Sequence, residues 1–318
     1  MINTIFQFFI PAHSDSLKKI FQEERDPKII MVFDLEDGVQ NILEPQFTAI
    51  VKKEVRNNIV NLLNQYVEHN ASCIAGIRIN AFTSPAFKED ILFLKSLRSR
   101  IKWKNIFLPK INSHEEILSY VNTFTENNIA FDEVIPIIET TEGYRNISSI
   151  FRYPSETKFN RSVWGNHDFN LDCGYWPFQD IGSSLHWQRM EEFISCLEKM
   201  NYGFINSPIL ELDNSELSTA VLNEIGSLCK SEFSQVALSY KQSILFSTWK
   251  AEKTSSNKSF LQSNSLSREE KINLAKKTVE QFKAWQLSGK SFSIIEKHKR
   301  IISPQEFMAA QNFLNENS

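Results

Sequence analysis

Short apolar runs alternate with amphipathic stretches along most of this chain, and that alternation restricts the fold more than any other feature. Runs that read as β-strands fall at 4–10 (TIFQFFI), 28–34 (KIIMVFD), 73–79 (CIAGIRI) and 105–109 (NIFLP). Four more fall at 134–139 (VIPIIE), 161–165 (RSVWG), 202–206 (YGFIN) and 234–238 (SQVAL). Amphipathic stretches occupy Ser14–Glu24, Phe47–His69, Ala86–Arg98, Ser113–Asn127, Thr141–Phe151, Gly182–Met200 and Asn214–Phe233. Their apolar residues recur at i, i+3 and i+4, the spacing of a helix with one buried face. Asp15 and Ser113 stand where they can cap two of these helices. Strands alternating with helices imply a parallel sheet, and eight such units in roughly 250 residues fit a closed barrel. The expected fold is therefore α/β, a (β/α)8 TIM barrel over residues 1–249. An open doubly wound sheet is the alternative, weakened because no G-x-G-x-x-G or Walker loop follows any strand.

Beyond residue 249 the composition changes. Residues 250–266 are polar and serine-rich and read as a linker or mobile loop. Residues 267–318 read as a C-terminal helical extension: a helix Ser267–Gln286 with a Ser cap and early glutamates, a short hairpin in SFSIIEKHKRIIS, and a last helix from Pro304. This extension is expected to pack over the barrel or a neighbouring subunit. With a net charge of -3, no basic field for nucleic acid is present. Cys73, Cys173, Cys196 and Cys229 form no CxxC pair, which argues against zinc or a disulfide framework. No apolar run is long enough to span a membrane, so a cytoplasmic protein is expected.

The chemistry gathers at strand ends. The second strand ends in Asp34-Leu35-Glu36-Asp37, the third in Arg78-Ile79-Asn80 and the fourth in Pro109-Lys110; the fifth ends in Glu139-Thr140 and the sixth in Gly165-Asn166-His167-Asp168. In a barrel these carboxyl ends converge on one face, where the active sites of this architecture lie. A structural ring of ion pairs is the plainer reading of the same pattern. Glu139 and Asp168 form the best metal pair, since two hard carboxylates without thiolates suit Mg2+, or Mn2+, better than zinc. Asp34, Glu36 and Asp37 could then bond the metal's waters, and a divalent cation opposite them would make their crowding tolerable. Arg78 is a candidate for gripping a substrate carboxylate or enolate oxygen, with a salt bridge to Asp34 or Glu36 as its structural alternative. Lys110 adds positive charge for substrate binding, and Asp34 is a further candidate for that role; the acids around Lys110 disfavour a Schiff-base role. His167, His13 and Tyr240 are candidates for moving a proton.

The stretches DLEDGV at 34–39, IRIN at 77–80, LPKI at 108–111, IIET at 137–140 and WGNHDF at 164–169 run in one order. Together with FFIPAHSDSLKKIF near the N-terminus, this series resembles the citrate lyase beta subunit and its malyl-CoA-type relatives in the HpcH/HpaI aldolase superfamily. The resemblance implies a (β/α)8 barrel, trimeric or hexameric, that uses Mg2+ to make or break a carbon–carbon bond. It implies Glu139 and Asp168 as metal ligands, Arg78 on the substrate's oxo or carboxylate oxygens, and Glu36 and Asp37 beside the metal. A CoA thioester substrate, with Lys18 or Lys19 near the phosphates, also fits the resemblance. Two stretches depart from it. Where these relatives carry Ile-His-Pro-x-Gln, this chain has Ala237-Leu238-Ser239-Tyr240-Lys241-Gln242, and where they carry Ile-Asp-x-Pro it has Ile301-Ile302-Ser303-Pro304.

The leading expectation is a Mg2+-dependent carbon–carbon lyase or aldolase acting on a 2-oxo or hydroxy acid through a metal-stabilised enolate. The alternative is a family member that binds Mg2+ and a small acid, or a partner protein, without turnover. A phosphoenolpyruvate-type transferase would want phosphate-binding glycines late in the barrel, yet none of the nine glycines lies in 204–225.

Overall fold

The computed structural model describes residues 1–9, 26–67, 75–98, 101–152, 158–177, 180–251, 258–263, 265–286, 293–295 and 300–317. Eight parallel strands close into a barrel in chain order. They are β1 (Ile2–Phe9), β2 (Ile29–Asp34), β3 (Ala75–Arg78), β4 (Trp103–Leu108), β5 (Phe131–Ile138), β6 (Arg161–Trp164), β7 (Gly203–Asn206) and β8 (Phe233–Ala237). Pairing of Phe6 with Val236 and Gln7 with Ala237 seals β1 against β8. The expected (β/α)8 barrel is the observed fold.

The strands read as continuous apolar runs because both faces are covered; all six residues of β2 are buried. Inward side chains such as Phe6, Val32, Phe107, Ile135 and Val236 fill the barrel, with Phe6 and Phe107 meeting edge-on at 5.1 Å between centroids. Outward side chains pack under the helices. Ser113 caps the helix His114–Glu126 by accepting from the Glu116 backbone N–H, as its position predicted. The expected helix 14–24, with Asp15, lies outside the described residues.

Several boundaries and elements differ from the sequence reading. The stretch 141–151 is two short helices, Thr141–Arg145 and Ile147–Ile150, broken at Asn146, whose side-chain amide donates to the Asn112 carbonyl. A helix, Tyr240–Thr248, follows β8, and its apolar residues are too few to give a clear stripe. Within the expected linker sits a helix, Lys258–Ser263, whose Leu261 is buried in the core with Phe260 packed against it. That stretch is therefore anchored by two apolar side chains rather than wholly a free linker.

The extension packs on its own barrel. The helix Arg268–Gln286 opens with a reciprocal cap: Glu270 Oε2 accepts from the Ser267 N–H, and Ser267 Oγ accepts from the Glu270 N–H. The expected hairpin pairs β9 (Ser293–Ile295) with β10 (Arg300–Ile302), and the last helix is Pro304–Glu316. Trp176 stacks on Phe313 and donates its indole N–H to the Lys271 carbonyl, so it holds the extension down. The Ile301 N–H donates to the Leu210 carbonyl, bringing β10 to the barrel mouth.

Candidate active site at the barrel mouth

The acidic turn after β2 is built inward. The Glu36 N–H donates to Asp34 Oδ1 and the Asp37 N–H to Glu36 Oε2, so the turn folds its carboxylates back on its own amides. All three acids are buried. Their positive partners come from this chain. Arg78, ending β3, grips Asp34 side-on through Nε at 2.8 Å and Nη2 at 2.6 Å, and its Nη1 lies 3.1 Å from Glu36 Oε2. Lys110, just past β4, places Nζ 2.7 Å from Glu36 Oε1 and 3.3 Å from Asp37 Oδ2. From the sequence, a divalent cation is expected opposite these acids, and Arg78 and Lys110 are expected to add to the counter-charge. Two side chains supply much of it, and the salt bridge kept as the alternative for Arg78 is formed.

A third cation had no sequence assignment. Lys52 is buried in the helix Thr48–Val67 and donates to the carbonyls of Leu35 and Glu36 and to Asn80 Oδ1. Asn80 in turn donates its backbone and side-chain N–H groups to Asp90, which Arg56 pairs at 2.7 Å. This network explains the Asn of the IRIN stretch: it ties the third strand end to the acidic turn. The signal was available, because Lys52 and Arg56 occupy the buried stripe shared with Val55, Ile59, Leu62 and Leu63. Long charged side chains on an apolar helical stripe need buried partners.

Glu139 and Asp168 face the same cluster. Glu139, just past β5, is buried, and its Oε1 accepts from the Lys110 backbone N–H at 2.8 Å. Lys110 takes a left-handed backbone (φ 56°) to aim that N–H. Asp168 stands in the first turn of the helix Asn166–Asp172, which begins at Gly165. Gly165 makes room for Glu139: a Cβ there would stand 2.5 Å from Glu139 Cβ and 2.8 Å from Oε2. Replacing Gly165 by alanine is therefore expected to push the Glu139 carboxylate aside and weaken Mg2+ binding by about 10- to 100-fold. Calorimetric titration of the variant with Mg2+ measures this; unchanged affinity would remove Gly165 from the site.

Charge and burial set the protonation states. Burial raises Asp34, but Arg78 outweighs it and holds the carboxyl below its ordinary value. Burial and the Asp37 charge raise Glu36 against the pull of Arg78 and Lys110. Burial and Asp168 raise Asp37, opposed by Lys110. Glu139 is raised by burial and Glu36, and Asp168 is pushed up to about 8 by burial and then by Glu139. Burial works to lower Lys110, yet Glu36 and Asp37 keep it firmly charged, which leaves no Schiff-base nucleophile here. His167 also lines the cavity, but burial, His186 and Arg300 hold it down at about 3. Its neutral imidazole is a hydrogen-bonding group at neutral pH rather than a ready proton donor. Tyr240 is exposed on its helix and does not line the cavity, and His13, Lys18, Lys19 and Cys73 lie outside the described residues.

These five carboxylates meet three cations, Arg78, Lys110 and Lys52, leaving two negative charges in excess when all are ionised. That excess equals the charge of one divalent cation. Among the described residues no group of three or more His, Cys, Asp or Glu forms a metal cage. A two-carboxylate open site is what Mg2+ accepts, since it keeps several waters and takes one or two carboxylates. Glu139 and Asp168 fit that requirement.

The excess charge has a measurable consequence. The raised acids bind more protons in the folded than in the unfolded chain between about pH 4 and the folded value of about 8 for Asp168. Their contribution to stability is full below that window and is lost as pH rises through it. Metal-free protein is expected to melt at lower temperature at pH 8 than at pH 6, and saturating Mg2+ to reduce the difference. Melting curves at both pH values, with EDTA or Mg2+, check this; a metal-free melting temperature that rises across the window would contradict it.

Together these elements define an α/β barrel protein with a cluster of buried acids and paired cations at the carboxyl ends of its strands. More narrowly, the chain belongs to the HpcH/HpaI aldolase/citrate lyase family, whose sequence model matches residues 6–180, more than half of the chain. No curated protein sequence matches it. Among solved structures it is similar to RipC from Yersinia pestis, with 16% identity, a TM-score of 0.57, and coverage of 79% of this chain and 96% of that one. It is also similar to the citrate lyase beta subunit of M. tuberculosis complexed with oxaloacetate and magnesium (14% identity, TM-score 0.55, 77% and 95% coverage). The protein CitE from Mycobacterium tuberculosis in complex with magnesium, acetoacetate and coenzyme A covers 99% of this chain and 97% of its own, at 14% identity and a TM-score of 0.57. These likenesses establish the shared barrel. Among the described residues no helix is long and apolar enough to cross a membrane.

Proposed function

We propose that this chain is a Mg2+-dependent carbon–carbon lyase or aldolase acting on a 2-oxo or hydroxy acid. The observation that carries the proposal is the pair Glu139 and Asp168 in an acid cluster that its own cations leave two charges short of neutral. These two side chains would hold the metal. A divalent cation bound there supplies a Lewis acid for the carboxylate and adjacent oxygen of an organic acid. Magnesium in the M. tuberculosis citrate lyase beta subunit and CitE complexes supports that choice of ion.

The remaining chemistry belongs to the chain. Arg78 has five N–H donors on a rigid fork, and those not spent on Asp34 and Glu36 can meet negative charge developing on the substrate's oxo oxygen. Lys52 and Lys110 fix the acidic turn from below and from the side, so Arg78 is held in position before substrate arrives. Lys110 also lends its charge to binding an anionic substrate. Glu36 and Asp37 would bond waters beside Glu139 and Asp168. The assembly proposed from the resemblance is a homo-oligomer, and a CoA thioester remains the alternative form of the substrate.

The test is an assay of cleavage and condensation over pyruvate, glyoxylate, oxaloacetate and longer oxo acids. Turnover that requires Mg2+ and stops with EDTA is expected. Turnover that persists in EDTA overturns the metal role. A second reading, binding without turnover, is favoured by one observation. Ile302 stands where the relatives' tail carries an acid, and it is fully buried against Phe282 and Phe307, away from the cavity. Metal-dependent binding with no product across the panel would decide for that reading.

A further inference from the structure

The cavity above the acid cluster holds about 380 Å3 and has two unlike halves. Its charged half comes from β2, β3 and the ends of β5 and β6. The other half comes from the adjoining arc of the barrel and from the extension: Phe8 on β1, Val236 and Leu238 at the end of β8, Leu210 after β7, and Ile301 on β10. The arc's polar groups are the Gln305 amide, which carries no charge, and two hydroxyls that are engaged. Ser207 donates to the Trp164 carbonyl, and Ser303 accepts from the Glu306 N–H that it caps. Among the described residues lining the cavity, the cation Arg78 belongs to the charged half and the apolar arc carries none. Arg300, beside this arc, is paired to Glu306.

We infer that the substrate is a 2-oxo monocarboxylic acid bearing an aliphatic chain, with its oxo-acid end on the charged half and its chain along Phe8, Leu210, Val236, Leu238 and Ile301. The inference rests on the proposed function and names its substrate class. A volume within the range of about 300–1,000 Å3 typical of ligand pockets exceeds what a three- or four-carbon acid fills, and it leaves apolar wall facing water. A second carboxylate at the far end would lose its hydration without a cation to replace it. An alkyl chain instead gains about fourfold in affinity for each methylene buried. Ile301 makes the extension part of this specificity, since its strand is hydrogen-bonded to Leu210 across the mouth.

The test is calorimetric titration of the full-length protein with Mg2+ against pyruvate, 2-oxobutanoate, 2-oxohexanoate and 2-oxooctanoate, with oxaloacetate as the four-carbon acid that exchanges a terminal methyl for a carboxylate. Affinity is expected to rise by about fourfold per methylene until the cavity is full, and oxaloacetate to bind at least about tenfold more weakly than 2-oxobutanoate. Leu238→Lys is expected to reverse that last preference, and Ile301→Lys serves the same purpose from the extension. The series on the unaltered chain decides the matter even where neither variant folds. A flat series, oxaloacetate as the tightest ligand, or a short acyl-CoA thioester tighter than every free acid overturns the inference while leaving an acid-binding metal site intact. Absence of Mg2+-dependent binding by any of them overturns both.

Discussion

Glu139→Gln is expected to lower Mg2+-dependent turnover by roughly a thousandfold or more while raising the melting temperature of the metal-free protein. The two effects have one cause. Glu139 is buried, raised by burial and by the Glu36 charge, and only partly relieved by Lys110. An amide keeps its shape and can still accept the Lys110 backbone N–H, but it removes one negative charge from the crowd. Losing a metal's stabilisation of reacting oxygens forfeits several kcal/mol of barrier lowering, and about 1.4 kcal/mol is tenfold in rate. Removing a charge held for function rather than stability commonly returns about 0.5–2 kcal/mol. A merely structural glutamate would give the opposite sign in the melt. Steady-state kinetics and melting curves on one preparation separate the cases.

Arg78 is the second position where a large effect is expected. Arg78→Met leaves Asp34 and Glu36 buried without their fork, a loss of about 3–5 kcal/mol when one partner of a buried pair is removed, so this variant should fold poorly. Arg78→Lys keeps the charge and loses the side-on geometry at Asp34. It is expected to fold and to lose about 10²–10³ in kcat, the scale on which a positioned donor to a developing anion acts, with a smaller change in KM. A variant that folds and keeps its kcat would confine Arg78 to a structural ion pair.

How much of this was legible in the sequence follows from which interactions are local. Strand and helix alternation is a short-range pattern, so all eight strands were placed to within three residues at either end. The strand-end acids and bases were legible for the same reason: a barrel brings its carboxyl ends together whatever the loops do. Pairing was legible only in part, since the sequence offered Arg78 a bridge to Asp34 or Glu36 as one of two alternatives. That Arg78 would take Asp34 side-on, or that Lys110 would lean to Glu36 and Asp37, depends on distances between strands far apart in the chain. Lys52 went unread because a lysine on a helix is ordinarily solvated, although its place on the apolar stripe was a visible warning. The helix Tyr240–Thr248 was missed because β1 and the barrel wall, rather than an amphipathic face of its own, hold it. Phe260 and Leu261 sit in a serine-rich stretch whose composition hid two anchoring side chains.

The most direct measurement is a crystal structure with pyruvate and with Mn2+ replacing Mg2+ for its anomalous signal. If Glu139 and Asp168 hold the metal, one strong anomalous peak lies between their carboxylates, close to the 2.0–2.1 Å typical of Mg2+ and oxygen, with pyruvate oxygens on the same ion and Arg78 at hydrogen-bond distance. A peak elsewhere, or the Lys110 ammonium lodged between the two carboxylates with no ion at all, would contradict it.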